Sequence, residues 1–202
     1  LLLVNDKSTD ERILPLLNSF IKENQSLNII LIDNKDNQGF VRTVNIGMQY
    51  SHHDVVLLNS DTEVTRNWLS KIQNCAYSKP AVATPLSNNA TLASVPVFLA
   101  ENTIPPGLSV EEYADIVEKC SMNLFPDIPT AHGFCMYIKR EAIDDLGLFD
   151  EETFGKGYGE ENDFSYRCLQ AGYRHLLCDN TYIYHKGTQS FTQEKTNLIN
   201  SH

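Results

Sequence analysis

The stretch Tyr158-Gly159-Glu160-Glu161-Asn162-Asp163-Phe164 sets three carboxylates within four residues, directly behind a glycine turn. The spacing predicts a helix that opens there: Phe164, Cys168 and Ala171 fall on one helical face, and Gly172 stands where such a helix would stop. Acidic side chains in a first helical turn are favoured by the backbone dipole and by the free N–H groups, which keeps them ionised. An ionised carboxylate accepts protons. The segment therefore reads either as an acidic helix cap or as the source of a general base.

The elements that must position these groups come next. Leu1-Leu2-Leu3-Val4 is an apolar run that stops at Asn5-Asp6, and Val55-Val56-Leu57-Leu58 is another that stops at Asn59-Ser60-Asp61. Such continuous runs predict buried parallel strands, as do Ile29–Ile32 and Ala81-Val82-Ala83. Helical spacing links Ile13, Leu16, Leu17, Phe20 and Ile21, with Pro15 confined to the first turn, and this stripe is expected in the core. Two further helices are spaced by Val41, Val44 and Met48, and by Leu69, Ile72 and Ala76. The alternation predicts an α/β fold, most simply a parallel sheet with helices on its faces. Ligands of such sheets sit beyond the carboxyl ends of the strands, where Asp6, Ser8, Asn59 and Asp61 lie. Two acidic strand ends on one crevice would suit a cation and its ligand.

From about residue 85 the character changes. Residues 85–108 are loop-like, with Ser87-Asn88-Asn89 and Pro105-Pro106-Gly107. Ser109-x-x-Glu112 is a capping box ahead of a helical stripe of Tyr113, Ile116, Val117 and Cys120, also expected in the core. Thr130–Ile138 reads as a strand interrupted by Gly133, residues 140–146 as a short helix closed by Gly147, and Tyr182-Ile183-Tyr184 as a strand ending at His185. The length of 202 residues suits one domain. The net charge of −10, with no basic stripe, argues against a nucleic-acid partner. Five cysteines with no C-x-x-C pair point to a reducing compartment, and no apolar run approaches the length of a membrane span.

Taken together, the motifs resemble those of the family-two glycosyltransferases of GT-A fold, of the bacterial surface-glycan type. Val4-Asn5-Asp6-Lys7-Ser8-Thr9-Asp10 is similar to the family's V-D-D-x-S-T-D segment, and Asn37-Gln38-Gly39-Phe40 with Asn45 to its N-x-G-F…N loop and helix. Asn59-Ser60-Asp61 resembles the D-x-D motif. Gly133 through Asp150, the acidic turn and Tyr184-His185-x-Gly187 resemble the acceptor-side half. The resemblance implies a Rossmann-like nucleotide-sugar-binding half over 1–85 and an acceptor-binding half with the catalytic base over 86–202. It implies that Glu161 is the base, that Glu160 and Asp163 support it or orient the acceptor, and that Asp61 and His185 bind a divalent metal, Mn²⁺ or Mg²⁺. It places Asp6, Ser8, Asn37, Gly39, Asn59, Gly133 and Tyr158 against substrates. The implied partners are a nucleotide-diphosphate sugar, a UDP- or dTDP-sugar first, and a glycan or lipid-linked acceptor. The implied location is the cytoplasm, at the inner face of the membrane.

Three departures from the family pattern stand out. Asn59 replaces the first acid of D-x-D, Glu161 stands where an aspartate base is usual, and Asn5 replaces an acid of the first motif. The family's first strand has no counterpart, and the chain opens inside an apolar run without an initiator methionine; a longer native chain with an upstream strand is the expectation. Two rival readings remain open at this point, a non-catalytic relative that binds a nucleotide sugar or glycan, and a sugar-phosphate nucleotidyltransferase.

Overall fold

The structure is a computed structural model that describes residues 1–78, 81–155, 157 and 159–187. In chain order the elements are β1 (Leu2–Asn5), α1 (Ile13–Glu23), β2 (Ile30–Asp33), α2 (Phe40–Tyr50), β3 (Val55–Leu58), β4 (Thr62–Glu63), α3 (Trp68–Ser78), β5 (Ala81–Leu86), α4 (Val110–Cys120), β6 (Cys135–Ile138), α5 (Arg140–Leu146), α6 (Glu151–Phe154), α7 (Glu160–Gln170), β7 (Arg174–Tyr182) and β8 (Tyr184–His185). They form two compact units. One is Leu1–Ser51 with Phe149–Glu160; the other is His52–Leu148 with the described residues from Glu161 onward. This is a division by packing, distinct from the functional halves expected on either side of residue 85.

In the first unit β1 and β2 pair in parallel, Leu2 opposite Ile30 through Asn5 opposite Asp33. The Asn5 amide donates to the Asp33 carboxylate across the strand ends at 2.7 Å. The α1 stripe departs from expectation: the helix has no fully buried residue, with Leu16 62% and Phe20 40% exposed. A two-stranded sheet is too narrow to cover that stripe. Asn45, buried on α2, donates through Nδ2 to the Phe149 carbonyl at 2.9 Å and accepts from the Phe149 N–H at 3.1 Å. A single side chain thereby ties two distant parts of this unit.

The second unit holds a four-stranded sheet in the order β3-β6-β5-β7. It is mixed where a parallel sheet was expected. β6 runs antiparallel to both β3 and β5, and only β5 with β7 is parallel. All four residues of β6 are buried, as an apolar run in a central strand requires. The nine-residue β7 begins at Arg174, well before the strand expected at Tyr182, because Arg174, His175, Asp179 and Asn180 interrupt its apolar pattern. α3 packs Ile72, Cys75 and Ala76 into a core shared with Ala83, Cys135 and Leu176. At α4 the predicted capping box forms: Ser109 Oγ accepts from the Glu112 N–H, and the Glu112 carboxylate accepts from the Ser109 N–H at 2.8 Å. Of its expected core stripe, Tyr113 is buried but Ile116 is 43% exposed and Cys120 is exposed. Asp54, just before β3, accepts from the Tyr77 and Tyr137 hydroxyls, each at 2.6 Å, and from the Arg140 N–H at 2.8 Å, joining α3, β6 and α5 to the start of that strand.

Two buried histidines give the second unit a definite pH response. His175 is 1% exposed with neither ring nitrogen hydrogen-bonded, and His132 is 9% exposed with its Nε2 unpartnered. Burial lowers both from an ordinary 6.5 to about 4. The unfolded chain takes up these protons near pH 6.5 and the folded chain only near pH 4, so stability falls as pH drops through that window. The loss at its lower end is on the order of 3 kcal/mol for each histidine. The urea midpoint should therefore drop between pH 7 and pH 5, and His175→Phe should flatten the drop; an unchanged profile in that variant would remove His175 from the effect.

Candidate active site

Two short strands make the centre of the site in the second unit. β4 and β8 pair antiparallel, Thr62 opposite His185 and Glu63 opposite Tyr184, and the Lys186 N–H donates to the Asp61 carbonyl at 3.0 Å. The pairing brings together two residues far apart in the chain. His185 Nε2 lies 3.4 Å from Asp61 Oδ1, with both side chains partly exposed, at 15% and 19%. On its other edge, His185 Nδ1 is 2.9 Å from the Asn89 carbonyl oxygen. A carbonyl can only accept, so Nδ1 carries the proton, and in the neutral ring Nε2 presents its lone pair to the Asp61 carboxylate.

At 3.4 Å the two groups fit either an Nε2–H proton facing the carboxylate or a cation beside both. The separation is long for an N–H···O bond. It is close to the roughly 3 Å expected between neighbouring donors on an octahedral ion that binds oxygen at about 2.1 Å. One carboxylate oxygen and one imidazole nitrogen suit Mn²⁺, and Mg²⁺ less well. Among the described residues no group of three or more His, Cys, Asp and Glu side chains converges. Asp61 and His185 could together supply two donors to a cation.

Glu161 lies in the same neighbourhood by way of one short segment. Phe134 stacks on the His185 ring, with centroids 5.1 Å apart and planes 18° from parallel. At the preceding residue, Gly133, a β-carbon would collide with a carboxylate oxygen of Glu161. A side chain at 133 would force the Glu161 carboxylate out of this position. The Phe134 carbonyl also accepts from the Asn59 N–H at 2.9 Å, and the Asn59 carbonyl accepts from the Thr62 hydroxyl at 2.7 Å. Asn59, Asp61, Gly133, Glu161 and His185 are therefore gathered around residues 133–134.

The other acidic residues of the turn have different surroundings. Glu160 is 3% exposed, which leaves it no surface for an acceptor. Asp163 pairs with Arg167 one turn on at 2.8 Å, and Arg167 donates further to the carbonyls of Leu146 at 2.8 Å and Leu148 at 2.9 Å. Asp163 thus fastens α7 to the end of α5. Tyr158 lies outside the described residues.

Asp6 belongs to the first unit, where it organises the loop ahead of α2. Oδ1 accepts from Asn34 Nδ2 at 2.9 Å and from the Gln38 N–H at 2.8 Å, and Oδ2 accepts from the Gly39 N–H at 2.9 Å. Asn37 donates to the Asp6 carbonyl at 2.9 Å, and the Ser8 N–H to Asn5 Oδ1 at 3.2 Å. Burial opposes the charge on Asp6, but the bonds from Gln38, Asn34 and Gly39 outweigh it and hold the carboxyl below its ordinary value. Gly39 adopts φ 80°, which a side chain would strain. The residues missed by sequence reasoning are Asn88, Asn89 and Phe134, whose contacts with His185 come from parts of the chain with no local signal.

A family model described as glycosyl transferase family 2 matches residues 1–147. No curated protein matches the chain. Among solved structures the chain is similar to GalNAc-T7 with UDP, GalNAc and Mn²⁺, at 20% identity over 96% of this chain and 39% of that one, with a TM-score of 0.69. It is also similar to the mannosyltransferase PcManGT from Pyrobaculum calidifontis in complex with GDP-Man and Mn²⁺, at 16% identity, 94% and 48% coverage and a TM-score of 0.63. A third, a putative glucose-1-phosphate thymidylyltransferase from Bacillus anthracis in complex with a sucrose, aligns at 8% identity, 98% and 74% coverage and a TM-score of 0.53. The chain spans less than half the length of the first two. The mixed sheet with its helices has the GT-A architecture, and with the family model matching residues 1–147 the chain belongs to glycosyl transferase family 2.

Proposed function

We propose that this chain is the catalytic domain of an inverting, metal-dependent glycosyltransferase. It moves a sugar from a nucleotide diphosphate, of uridine or thymidine first, to a bacterial surface glycan or its lipid-linked precursor, at the cytoplasmic face of the membrane. The observation that carries this reading is the pairing of Asp61 with His185 Nε2, with Glu161 set on the adjoining Gly133. Two structural relatives hold Mn²⁺ together with a nucleotide or nucleotide sugar.

Asp61 and His185 are the residues that would hold the divalent cation, which when bound offsets charge on the departing diphosphate. Glu161 takes the proton of the acceptor hydroxyl as that oxygen attacks the anomeric carbon. The bond from that carbon to the diphosphate oxygen breaks on the opposite face, the diphosphate leaves with the bonding pair, and the anomeric centre inverts. The extra methylene of Glu161 relative to an aspartate is accommodated by the missing side chain at Gly133. Asp6, held in its loop by Asn34, Gln38 and Gly39, accepts from the nucleotide base. Asn37, Gly39 and Ser8 shape that donor loop, and Asn59 and Gly133 line the path to the anomeric carbon. Asp163, through Arg167, and buried Glu160 support the base. Residues 1–85 serve the donor and 86–202 the acceptor. Likeness to a thymidylyltransferase at 8% identity concerns the fold alone.

The deciding assay is nucleoside diphosphate release by the full chain with Mn²⁺ across a panel of donors. Pyrophosphate release from a nucleoside triphosphate would instead favour a nucleotidyltransferase, and donor binding without turnover a non-catalytic relative. Glu161→Gln should lower kcat by about 10²–10⁴-fold and leave donor affinity within a few-fold. Near-normal turnover would take Glu161 out of the mechanism. Asp61→Asn should weaken Mn²⁺-dependent donor binding by at least about 10-fold in calorimetric titration. Gly133→Ala drives a methyl group into the Glu161 carboxylate and should cost about 10²-fold in kcat with donor KM little changed; wild-type kinetics would show that the close approach is irrelevant to transfer.

A further inference from the structure

The loop Ser87-Asn88-Asn89 follows β5 and meets His185 at three points. Asn88 Oδ1 accepts from the His185 N–H at 2.8 Å, and Asn88 Nδ2 donates to the His185 carbonyl at 2.9 Å. One side chain thus fixes both backbone groups of the candidate metal ligand. The next residue supplies the carbonyl that holds Nδ1, at 2.9 Å. The loop is itself braced: the Asn88 carbonyl accepts from the Asn102 N–H at 2.8 Å and from Asn102 Nδ2 at 3.3 Å. Beyond His185, a β-carbon on Gly187 would collide with the Asn89 amide, so the chain passes that loop as closely as glycine allows.

We propose that Asn88 is a positioning residue for the metal site: by clamping the His185 backbone it holds the ring against the Asn89 carbonyl, so that Nε2, and not Nδ1, faces Asp61. This inference rests on the metal-dependent reading above. The physical reason is that a ligating histidine needs its second nitrogen engaged by a fixed acceptor, which sets tautomer and ring orientation together. Backbone pairing of His185 with Thr62 fixes the strand, but His185 sits at the last position of a two-residue ladder. A ladder that short does not determine the ring's lateral setting. The Asn88 amide adds the second, orthogonal restraint.

The test uses the full chain with ¹⁵N-labelled histidine. Metal-free ring ¹⁵N shifts report the His185 tautomer, and calorimetric titration with Mn²⁺ at a fixed UDP concentration reports affinity. Wild type should show the Nδ1–H tautomer. Asn88→Ala, with far-ultraviolet dichroism confirming the fold, should show averaged tautomers and about 10–100-fold weaker Mn²⁺ binding. Asn88→Asp keeps the acceptor for the His185 N–H and loses the donor, and should fall between; it carries the test if the alanine variant does not fold. Unchanged tautomer and affinity in a folded Asn88 variant overturn the proposal. Should wild type bind no Mn²⁺, the metal reading falls, while the metal-free tautomer still decides whether Asn88 sets the ring.

Discussion

A primary amide sets an NH2 donor group and a C=O acceptor side by side on one rigid plane, and so it can pair with the N–H and C=O of a single residue. Among the described residues the match recurs, locally between Asn102 and Val97 and at long range in two places. Asn45 pairs with Phe149 in one unit and Asn88 with His185 in the other. Each clasp replaces a length of β-ladder with one side chain. The second matters most, because the elements around the candidate site are short. β4 and β8 have two residues each, and strands of that length do not hold a side chain in place unaided. The Asp61–His185 pair and the Phe134 stack both depend on where the His185 backbone is held.

Both units enclose a carboxylate in protein donors. Asp6 is satisfied by backbone and amide donors of its own loop, which makes it a structural anion there. Asp54 is likewise enclosed, by two tyrosine hydroxyls and a backbone N–H. Asp61 is set apart by its partner, the His185 ring across a short two-strand pairing. Burying His175 and His132 without full hydrogen bonding is a cost carried elsewhere in the same unit. At neutral pH it is borne by keeping both rings uncharged, since a buried imidazolium would cost far more.

The acidic turn shows how one local motif serves several ends. Its three carboxylates sit on the opening turn of α7, yet one is buried, one is tied to Arg167 and one reaches the glycine segment. Helical geometry separates them: adjacent positions point about 100° apart, while positions four apart share a face and let Asp163 meet Arg167. The Glu161 carboxylate is the one directed at Gly133, next to the Phe134 that stacks on His185. Specialisation within so short a stretch follows from the backbone, not from the chemistry of the residues, which is nearly the same in all three.

Much of this protein was legible in the residues alone. Apolar runs marked β1, β2, β3 and β5, helical spacing marked α1 to α4, and Ser109 with Glu112, Gly147 and Gly172 marked where helices begin and end. These are local matters of periodicity and capping, so a local reading captures them. Asp61, Glu161 and His185 were singled out through the family resemblance, and the fold sets Asp61 against His185 and Glu161 against Gly133. Strand order and direction could not be read from the residues, since an apolar run encodes burial and says nothing about which neighbour it joins; β6 enters between β3 and β5 antiparallel to both. Nor could the α1 stripe reveal that a two-stranded sheet would leave it half covered. The sequence by itself determined which side chains are able to bind a cation or take a proton. Tertiary structure alone decided which nitrogen of His185 meets Asp61, because that choice is made by the carbonyl of Asn89 and the amide of Asn88, brought from a distant loop.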